Sequence, residues 1–419
     1  MVRNIVVISG NSHPRLVDNV CSLLGIAPGD RILSKFSGGE SRCEIQDSVR
    51  GKDVFIIQSG GGAVNDHMIE LCIMLSACKT GSAKRVTAIM PLFPYSRQPD
   101  LPYRKAGAPL SKPAADIPKD KYTFESVPPT PGPGTARSLG LNHGSDLHRM
   151  LSKASASLSS DRRTHRSHSN SVTSQPGSFT KHDYENNPAS DVVFEAKPGY
   201  KRWVAQAGTL VADLLTCAGA DHVVALDLHD PQYQGFFDIP MDNLYARPLL
   251  TQYIQRNIPN YKEAIIVSPD AGGAKRATII ADSLGMEFAL IHKERRPTKI
   301  TDRQNATMML VGSVANRVCI LIDDLADTAN TITRAAKLVR REGATSVYAL
   351  LSHGVFSGDA LHRINASAID KIVVTNSVPQ EENRAICPKI EVLDIAPMFA
   401  EVIRRIHHGE SLSSLFHFA

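Results

Sequence analysis

Short apolar runs rich in β-branched residues alternate along this chain with longer segments in which apolar residues recur every three to four positions. The first pattern is typical of buried strands, and the second is typical of helices that cover a sheet. The runs that qualify as strands are 4–9, 31–36, 53–59, 85–91, 222–229, 264–268, 287–292, 318–324, 346–352, 371–376 and 389–395. Clear helical segments lie at 64–78, 274–284 and 331–341. This alternation predicts an α/β fold with mostly parallel sheets flanked by helices.

The alternation breaks over residues 104–197, where serine, proline, glycine and basic residues replace the apolar periodicity. Such a segment buries too little apolar surface to offset the entropy of ordering it, so we predict a disordered insertion. The remaining strands are too many for one sheet, and we therefore predict two α/β domains. The first comprises 1–103 and 198–245, with the C-terminal tail 403–419 packed on it, and the second comprises 246–402.

Composition indicates an ordinary globular protein, with 42% hydrophobic and 21% charged residues. The net charge of +5 is too small to indicate nucleic-acid binding, and no run approaches the roughly 18 apolar residues of a membrane span. Most of the 7 cysteines lie in apolar runs, which predicts buried free thiols in a reducing compartment. We therefore expect a cytoplasmic protein that binds neither nucleic acid nor a membrane.

Two aspartates, Asp323 and Asp324, end a buried apolar strand, and Asp327, Thr328 and Thr331 follow at the start of a helix. Ligands of parallel α/β folds bind beyond the carboxyl ends of the strands, and the N–H groups of a helix N-terminus favour a phosphate. Carboxylates can accept hydrogen bonds from vicinal ribose hydroxyls while the turn holds the phosphate. A helix cap without a ligand is the alternative, but the acidic pair favours a sugar-phosphate site.

Several motifs carry a resemblance to a known family. They are FSGGES (36–41), FPYSRQ (93–98), LDLH with QGFFDIPMDNLYA (226–246), SPDAGGAKR (268–276), HKER (292–295), LIDDLADTANT (321–331) and RRIHHGESLSSLF (404–416). In this order they resemble ribose-phosphate pyrophosphokinase, also called phosphoribosyl pyrophosphate synthetase, and the insertion resembles one class of fungal subunits. The resemblance implies two phosphoribosyltransferase-type domains. It also implies transfer of the β,γ-diphosphoryl group of ATP to ribose 5-phosphate, whose product feeds nucleotide, histidine and tryptophan biosynthesis.

The resemblance also assigns roles to individual residues. Lys293 and Arg295 are expected to be the catalytic cations on the transferring phosphates, although basic residues of a solvated loop are the alternative. The residues expected to bind ATP are Phe36, Glu40, Arg97, Gln98 and His229. Those expected to bind ribose 5-phosphate are Asp323, Asp324, Asp327, Thr328, Ala329, Asn330 and Thr331. The expected pyrophosphate loop comprises Asp270, Ala271, Gly272 and Gly273.

Magnesium is the cofactor that the resemblance implies, with His229 and Asp270 as ligands, of which the carboxylate suits this metal better. Part of the ATP site would come from a neighbouring subunit, which implies a homo- or hetero-oligomer with paralogous subunits. Ser48, Arg50 and Ser82 resemble a regulatory phosphate site. The serines of the insertion lie among arginines, so phosphorylation there could control regulatory partners, with an inert spacer as the alternative.

The chain departs from the family pattern at Gly38, Pro99, Gly208 and Asn330. Asn330 replaces a turn glycine, and asparagine tolerates left-handed backbone better than most residues. These departures favour a catalytically impaired regulatory or scaffold subunit of a hetero-oligomeric synthetase, whereas the retained Lys293 favours an active enzyme. A phosphoribosyltransferase would explain LIDDLADTANT but not HKER, FPYSRQ or the two-domain length. We therefore expect an active synthetase, alone or together with paralogous subunits.

Overall fold

The computed structural model of the protein describes residues 4–97, 207–294 and 307–415, with the backbone alone for 293–294 and 307. All of these residues belong to the same compact unit of the chain. Gln98, Pro99, Arg295, the side chain of Lys293 and the predicted insertion 104–197 lie outside the described residues. The boundaries of the predicted domains stay a prediction.

Before residue 246, five strands form one entirely parallel sheet in the order β1–β4–β5–β6–β7. An antiparallel hairpin of β2 and β3 accompanies this sheet. The strands are β1 (Ile5–Ser9), β2 (Arg31–Lys35), β3 (Ser41–Ile45), β4 (Asp53–Ile57), β5 (Arg85–Met90), β6 (His222–Leu226) and β7 (Met241–Leu244). Because the five strands of the sheet are parallel, their carboxyl ends lie at one edge.

Seven strands form the second sheet in the order β10–β9–β8–β11–β12–β13–β14. They are β8 (Ile265–Ser268), β9 (Glu287–Glu294), β10 (Thr307–Val311), β11 (Val318–Ala326), β12 (Ser346–Gly354), β13 (Lys371–Thr375) and β14 (Ile390–Leu393). All neighbours are parallel except β9 and β10. The predicted α/β class with mostly parallel sheets is therefore confirmed.

The helices follow the strands in the alternation that the apolar pattern predicted. They are α1 (Pro14–Leu24), α2 (Val64–Thr80), α3 (Ala207–Ala218), α4 (Arg247–Asn257), α5 (Ala274–Leu284), α6 (Asn330–Arg341), α7 (Ala360–Asn365), α8 (Glu381–Ile386) and α9 (Ala396–His408). In the part of the chain that the structure describes, none of them is long and apolar enough to cross a membrane.

Helix α9 returns to the first sheet after the second sheet is complete. Its apolar face shares a buried cluster with α1, in which Leu16 and Val20 lie with Phe399 and Ile403. At the end of the helix, the imidazole Nδ1 of His407 lies 2.7 Å from Asp53 Oδ2 on β4. Helix α9 thus contacts α1 and β4 from the first part of the chain.

Candidate active site

The acidic pair lies where β11 loses one of its two neighbouring strands. Strand β11 pairs with β8 only from Cys319 to Leu321, whereas its pairing with β12 continues to Ala326. The strand is therefore two residues longer than the sequence predicted, because β12 supports it beyond the end of β8. Asp323 and Asp324 lie in the part of β11 beyond its pairing with β8.

Asp324 is buried between two cationic groups. The His229 Nδ1 atom lies 2.6 Å from Asp324 Oδ2, and Arg276 Nη1 lies 3.2 Å from Asp324 Oδ1. The same guanidinium nitrogen lies 3.8 Å from Asp323 Oδ1. The predicted nucleotide contact His229, which follows β6, therefore meets the predicted ribose contact of β11 directly.

These contacts give the neighbouring carboxyl groups opposite pKa shifts. Burial works to raise the pKa of Asp324, but the hydrogen bond with His229 and the charge of Arg276 outweigh it, and the pKa is lowered. Burial together with the charge of Asp324 raises the pKa of Asp323 well above its usual range. The hydrogen bond with Asp324 raises the pKa of His229 against the effect of burial. The two neighbouring groups therefore differ. Asp324 stays a carboxylate, whereas Asp323 readily binds a proton or forms a hydrogen bond with a hydroxyl group.

The predicted pyrophosphate loop connects β8 to α5 beside this pair. Its aspartate folds back over the loop, so that the Gly273 N–H donates to Asp270 Oδ1 at 2.9 Å. A Cβ atom added at Gly273 would lie 3.2 Å from Ser268 Oγ and 3.7 Å from Asp323 Oδ1. The loop backbone therefore runs close to the acidic pair, and a larger residue at this glycine would crowd the approach.

The predicted sugar-phosphate turn, residues 327–331, follows β11 and leads into α6. The expectation that left-handed backbone falls on Asn330 is wrong: Ala329 has φ 58°, and Asn330 is the first helical residue. The reason is that the chain reverses at Ala329, the residue directly before the helix, so that Asn330 already belongs to α6. Asn330 instead uses its side-chain amide, which donates to Thr328 Oγ1 at 3.2 Å. Thr331, the last predicted residue of the turn, lies in the first turn of α6.

Arg97, a predicted ATP contact from the first half of the chain, forms an ion pair with Asp327 of the sugar-phosphate turn. Burial by itself would raise the pKa of Asp327, but hydrogen bonds from Ser357 and Arg97 outweigh burial, and the pKa is lowered. The structure thus brings Arg97, His229, the Asp270–Gly273 loop and the sugar-phosphate turn into one connected site.

Two other predicted groups lie elsewhere among the described residues. Phe36 and Glu40 stand at the exposed tip of the β2–β3 hairpin, where the Phe36 N–H donates to the Glu40 carbonyl at 2.8 Å. Ser48, Arg50 and Ser82 are also exposed, and the Ser82 carbonyl accepts from Gly51 N–H at 2.9 Å. In the part of the chain that the structure describes, no contact joins either group to the acidic pair.

Comparison with known proteins decides the family. Residues 5–111 match the family model described as the N-terminal domain of ribose phosphate pyrophosphokinase, and residues 297–417 match the phosphoribosyl synthetase-associated domain. Ribose-phosphate pyrophosphokinase 5 of Schizosaccharomyces pombe is 47% identical over 99% of this chain and 98% of its own length. The chain belongs to the ribose-phosphate pyrophosphokinase family. The crystal structure of phosphoribosylpyrophosphate synthetase from Mycobacterium smegmatis matches with a TM-score of 0.69 and 30% identity, over 97% of this chain and 100% of that one.

Within the ribose-phosphate pyrophosphokinase family pattern, the departure at Gly208 has a packing explanation. A Cβ atom at Gly208 would lie 2.4 Å from the ring of Tyr233, which is fully buried. The Tyr233 hydroxyl in turn donates to the Tyr95 carbonyl. The space that a larger residue would occupy at Gly208 is therefore filled by Tyr233. At Gly38, by contrast, an added Cβ atom would meet nothing within 4 Å.

Sequence reasoning missed a buried polar network behind His229. Asp227 has the left-handed φ of 42° and accepts a hydrogen bond from the Ser352 hydroxyl on β12. His353 places its Nε2 atom 3.0 Å from the carbonyl of Leu226. The network ties the end of β6 to the second sheet and thereby positions His229. Asp227 belonged to the LDLH motif, but nothing in the sequence indicated its partners.

Proposed function

We propose that the chain is a ribose-phosphate diphosphokinase, which forms 5-phosphoribosyl 1-pyrophosphate and AMP from ATP and ribose 5-phosphate. The observation that carries the proposal is the acidic pair flanked by two strand-to-helix turns, Asp270–Gly273 and 327–331. Both turns present backbone N–H groups at a helix N-terminus, which suits phosphate groups on either side of a sugar. Membership of the family supports the same assignment.

Ribose 5-phosphate binds along the second sheet in this proposal. The turn from Asp327 to Thr331 holds the 5-phosphate through its N–H and hydroxyl groups. Asp323 and Asp324 accept hydrogen bonds from the two vicinal hydroxyls of ribose. The lowered pKa of Asp324 suits this role, because a stable carboxylate is an acceptor only.

ATP approaches from the side of the first sheet. Arg97 and His229 reach the phosphates, joined by Gln98, while Phe36 and Glu40 of a neighbouring subunit contact the nucleotide. The 1-hydroxyl oxygen of ribose attacks the β-phosphorus, loses its proton, and AMP leaves as the bond between the β-phosphorus and the α,β-bridging oxygen breaks. Catalysis of such a transfer rests on positioning and charge neutralisation, which Lys293 and Arg295 provide.

Magnesium fits the donor set around the acidic pair. Among the residues that the structure describes, no group of three or more His, Cys, Asp or Glu side chains is arranged to hold a metal ion. Magnesium commonly uses one or two carboxylates together with water and substrate phosphates, so a complete protein cage is not required. Asp270 is the carboxylate ligand proposed here and His229 the second contact. When bound, the ion neutralises charge on the transferring phosphates.

Further parts of the proposal rest on the motifs. The chain assembles with copies of itself or with paralogous subunits in the cytoplasm, and binds neither membrane nor nucleic acid. Ser48, Arg50 and Ser82, whose two loops are neighbours, bind a regulatory phosphate. The insertion 104–197 binds regulatory partners.

Asp324→Asn tests the assignment of the acidic pair, with Asp282→Asn on the exposed face of α5 as the matched control. Release of AMP from ATP and ribose 5-phosphate is measured with magnesium and phosphate present. Loss of a charged acceptor in the site lowers kcat/KM by about 100-fold, whereas the control variant retains wild-type activity. Equal activity of both variants would refute the assignment. No activity of the wild-type chain, alone or with paralogous subunits, would refute the function.

A further inference from the structure

Three consecutive carbonyl groups, that of Ala326 at the end of β11 and those of Asp327 and Thr328 in the turn, accept hydrogen bonds from residues 355–363. The Ala326 carbonyl accepts from Val355 N–H at 2.9 Å, and the Asp327 carbonyl accepts from Ser357 N–H at 3.1 Å. The third carbonyl, that of Thr328, accepts from the guanidinium Nη1 of Arg363. The backbone of the turn is therefore held through its carbonyl groups by this segment.

The third hydrogen bond differs from the other two because it holds a strained peptide unit. Ala329 has φ 58°, a region that residues other than glycine rarely adopt. Rotation of the Thr328–Ala329 peptide plane by about half a turn would return Ala329 to negative φ and relieve the strain. That rotation would also break the hydrogen bond to Arg363. The guanidinium thus opposes the relaxation that the local backbone favours.

The orientation of this peptide plane determines where its N–H group points. In a trans peptide the C=O and N–H bonds point in opposite directions. With the Thr328 carbonyl directed at Arg363, the N–H group of Ala329 points away from Arg363, to the side where the proposed 5-phosphate binds. A rotated peptide would present a carbonyl oxygen there, which repels a phosphate. One hydrogen bond therefore decides whether this position attracts or repels an anion.

Arg363 is well placed to enforce this choice. It lies on α7, where its own N–H donates to the Asp359 carbonyl at 3.0 Å, so the base of the side chain is fixed. Its side chain is only partly exposed, and its charge strengthens the hydrogen bond to the carbonyl. Helix α7 packs against α6, which begins directly after Ala329.

We propose that Arg363 is a positioning residue for ribose 5-phosphate, which holds the Thr328–Ala329 peptide in the orientation that binds the 5-phosphate. The inference rests on the proposed function for the identity of the ligand. Arg363 itself acts through the backbone, so its removal weakens ribose 5-phosphate binding more than it slows the chemical step.

The test is a double-mutant cycle between Arg363→Ala and Ala329→Gly in the full chain. Binding of ribose 5-phosphate is measured by isothermal titration calorimetry, and melting temperature is measured for each variant. Arg363→Ala weakens binding about tenfold, the size expected for one hydrogen bond to a charged group. Adding Ala329→Gly restores most of the affinity, because glycine holds left-handed backbone without strain. Arg341→Ala, an exposed arginine paired with Glu342, is the control and binds like the wild type.

The cycle separates positioning from a structural role. If Arg363 only stabilised the fold, Ala329→Gly would restore no affinity to Arg363→Ala, and this result would overturn the inference. Unchanged binding by Arg363→Ala would also overturn it. Should Arg363→Ala fail to fold, Arg363→Lys replaces it in the cycle. The lysine variant is expected to bind ribose 5-phosphate several-fold more weakly than the wild type, and adding Ala329→Gly is expected to restore its affinity. Wild-type affinity in Arg363→Lys, together with an alanine variant that does not fold, would overturn the proposal.

The same samples distinguish this inference from the proposed function. Ribose 5-phosphate binding that follows the predicted cycle without any AMP release, alone or with paralogous subunits, would support the positioning role while refuting the synthetase activity. AMP release with an unchanged KM for ribose 5-phosphate in Arg363→Ala would support the synthetase activity while refuting the positioning role. A wild-type chain that does not bind ribose 5-phosphate at all would refute both.

Discussion

Replacing Arg276 by methionine is the sharpest perturbation of the acidic pair. The guanidinium lies 3.2 Å from Asp324 Oδ1 and 3.8 Å from Asp323 Oδ1, and the arginine side chain is 26% exposed. Methionine keeps much of the apolar stem while removing the charge. The substitution therefore leaves two adjacent carboxyl groups with His229 as the cationic neighbour that remains on Asp324.

The expected cost follows from burial. Removing one partner of a buried ion pair destabilises a protein by roughly 3–5 kcal/mol, because the remaining charge is left uncompensated. Two features reduce this value here: His229 still pairs with Asp324, and Asp323 can take up a proton. We therefore expect Arg276→Met to lower the free energy of unfolding by about 2–3 kcal/mol near neutral pH.

The pH dependence has a definite sign. Burial raises the pKa of Asp323 in the folded state, whereas the charge of Arg276 lowers it. A carboxyl group whose folded pKa exceeds its unfolded value destabilises the protein as pH rises through the folded pKa. Removing Arg276 raises that pKa further. The cost of Arg276→Met should therefore be larger at a pH above the folded pKa of Asp323 than at a pH below it, since proton uptake by Asp323 relieves the repulsion at lower pH.

Urea unfolding at both pH values, in EDTA and without substrates, measures this cost directly. Arg15→Met is the control, because Arg15 pairs with Glu381 at 2.9 Å and the two side chains are 71% and 51% exposed. The control should lose at most about 1 kcal/mol. Equal losses for the two variants, or a cost of Arg276→Met that shrinks as pH rises, would refute the account of the acidic pair.

Three further predictions concern packing, thiols and metal. Gly208→Ala should lower the free energy of unfolding by about 1–3 kcal/mol in thermal denaturation, because its Cβ would overlap the Tyr233 ring. Tyr233→Leu in the same chain should recover part of the loss, and a double variant whose loss equals the sum of the two single losses would contradict this. Exposed Cys217 should react first with a thiol reagent in the native protein, whereas burial raises the pKa of Cys78 and Cys319 to about 12 and should protect both until unfolding; early labelling of either would contradict the described core. EDTA should abolish AMP release and added Mg²⁺ should restore it, and release that persists in EDTA would contradict the proposed metal requirement.

Most parallel strands were predictable because both faces of each are covered, which leaves an apolar run in the sequence. Strands β3 and β7 were missed because their sequences, SRCEI and MDNL, are half polar. The missed strand β10 lies at the sheet edge. Edge and hairpin strands need less burial, so their pattern is weaker. The strands that sequence alone missed are thus one hairpin strand and two of the four edge strands, whereas every central strand was predicted.

The candidate site divides in a similar way. Motifs indicated the residues that we propose face a ligand, including the acidic pair and the loop at Asp270. They did not indicate Arg276 as the charge partner of that pair or Arg363 as the support of the turn. Arg363 lies on a separate helix, 35 residues after Thr328, whose carbonyl it holds. Such contacts depend on how elements pack, and nothing local in the sequence encodes them.

The most direct test of the central claim is to follow the reaction by ³¹P nuclear magnetic resonance. The purified full chain, alone and then together with paralogous subunits, is incubated with ATP, ribose 5-phosphate and Mg²⁺, and all phosphorus-containing products are quantified. We expect equal amounts of AMP and of a new pyrophosphate ester on the anomeric carbon, because the β,γ-diphosphoryl group moves as one unit. Formation of ADP or inorganic phosphate without that ester, or an unchanged spectrum, would contradict the account.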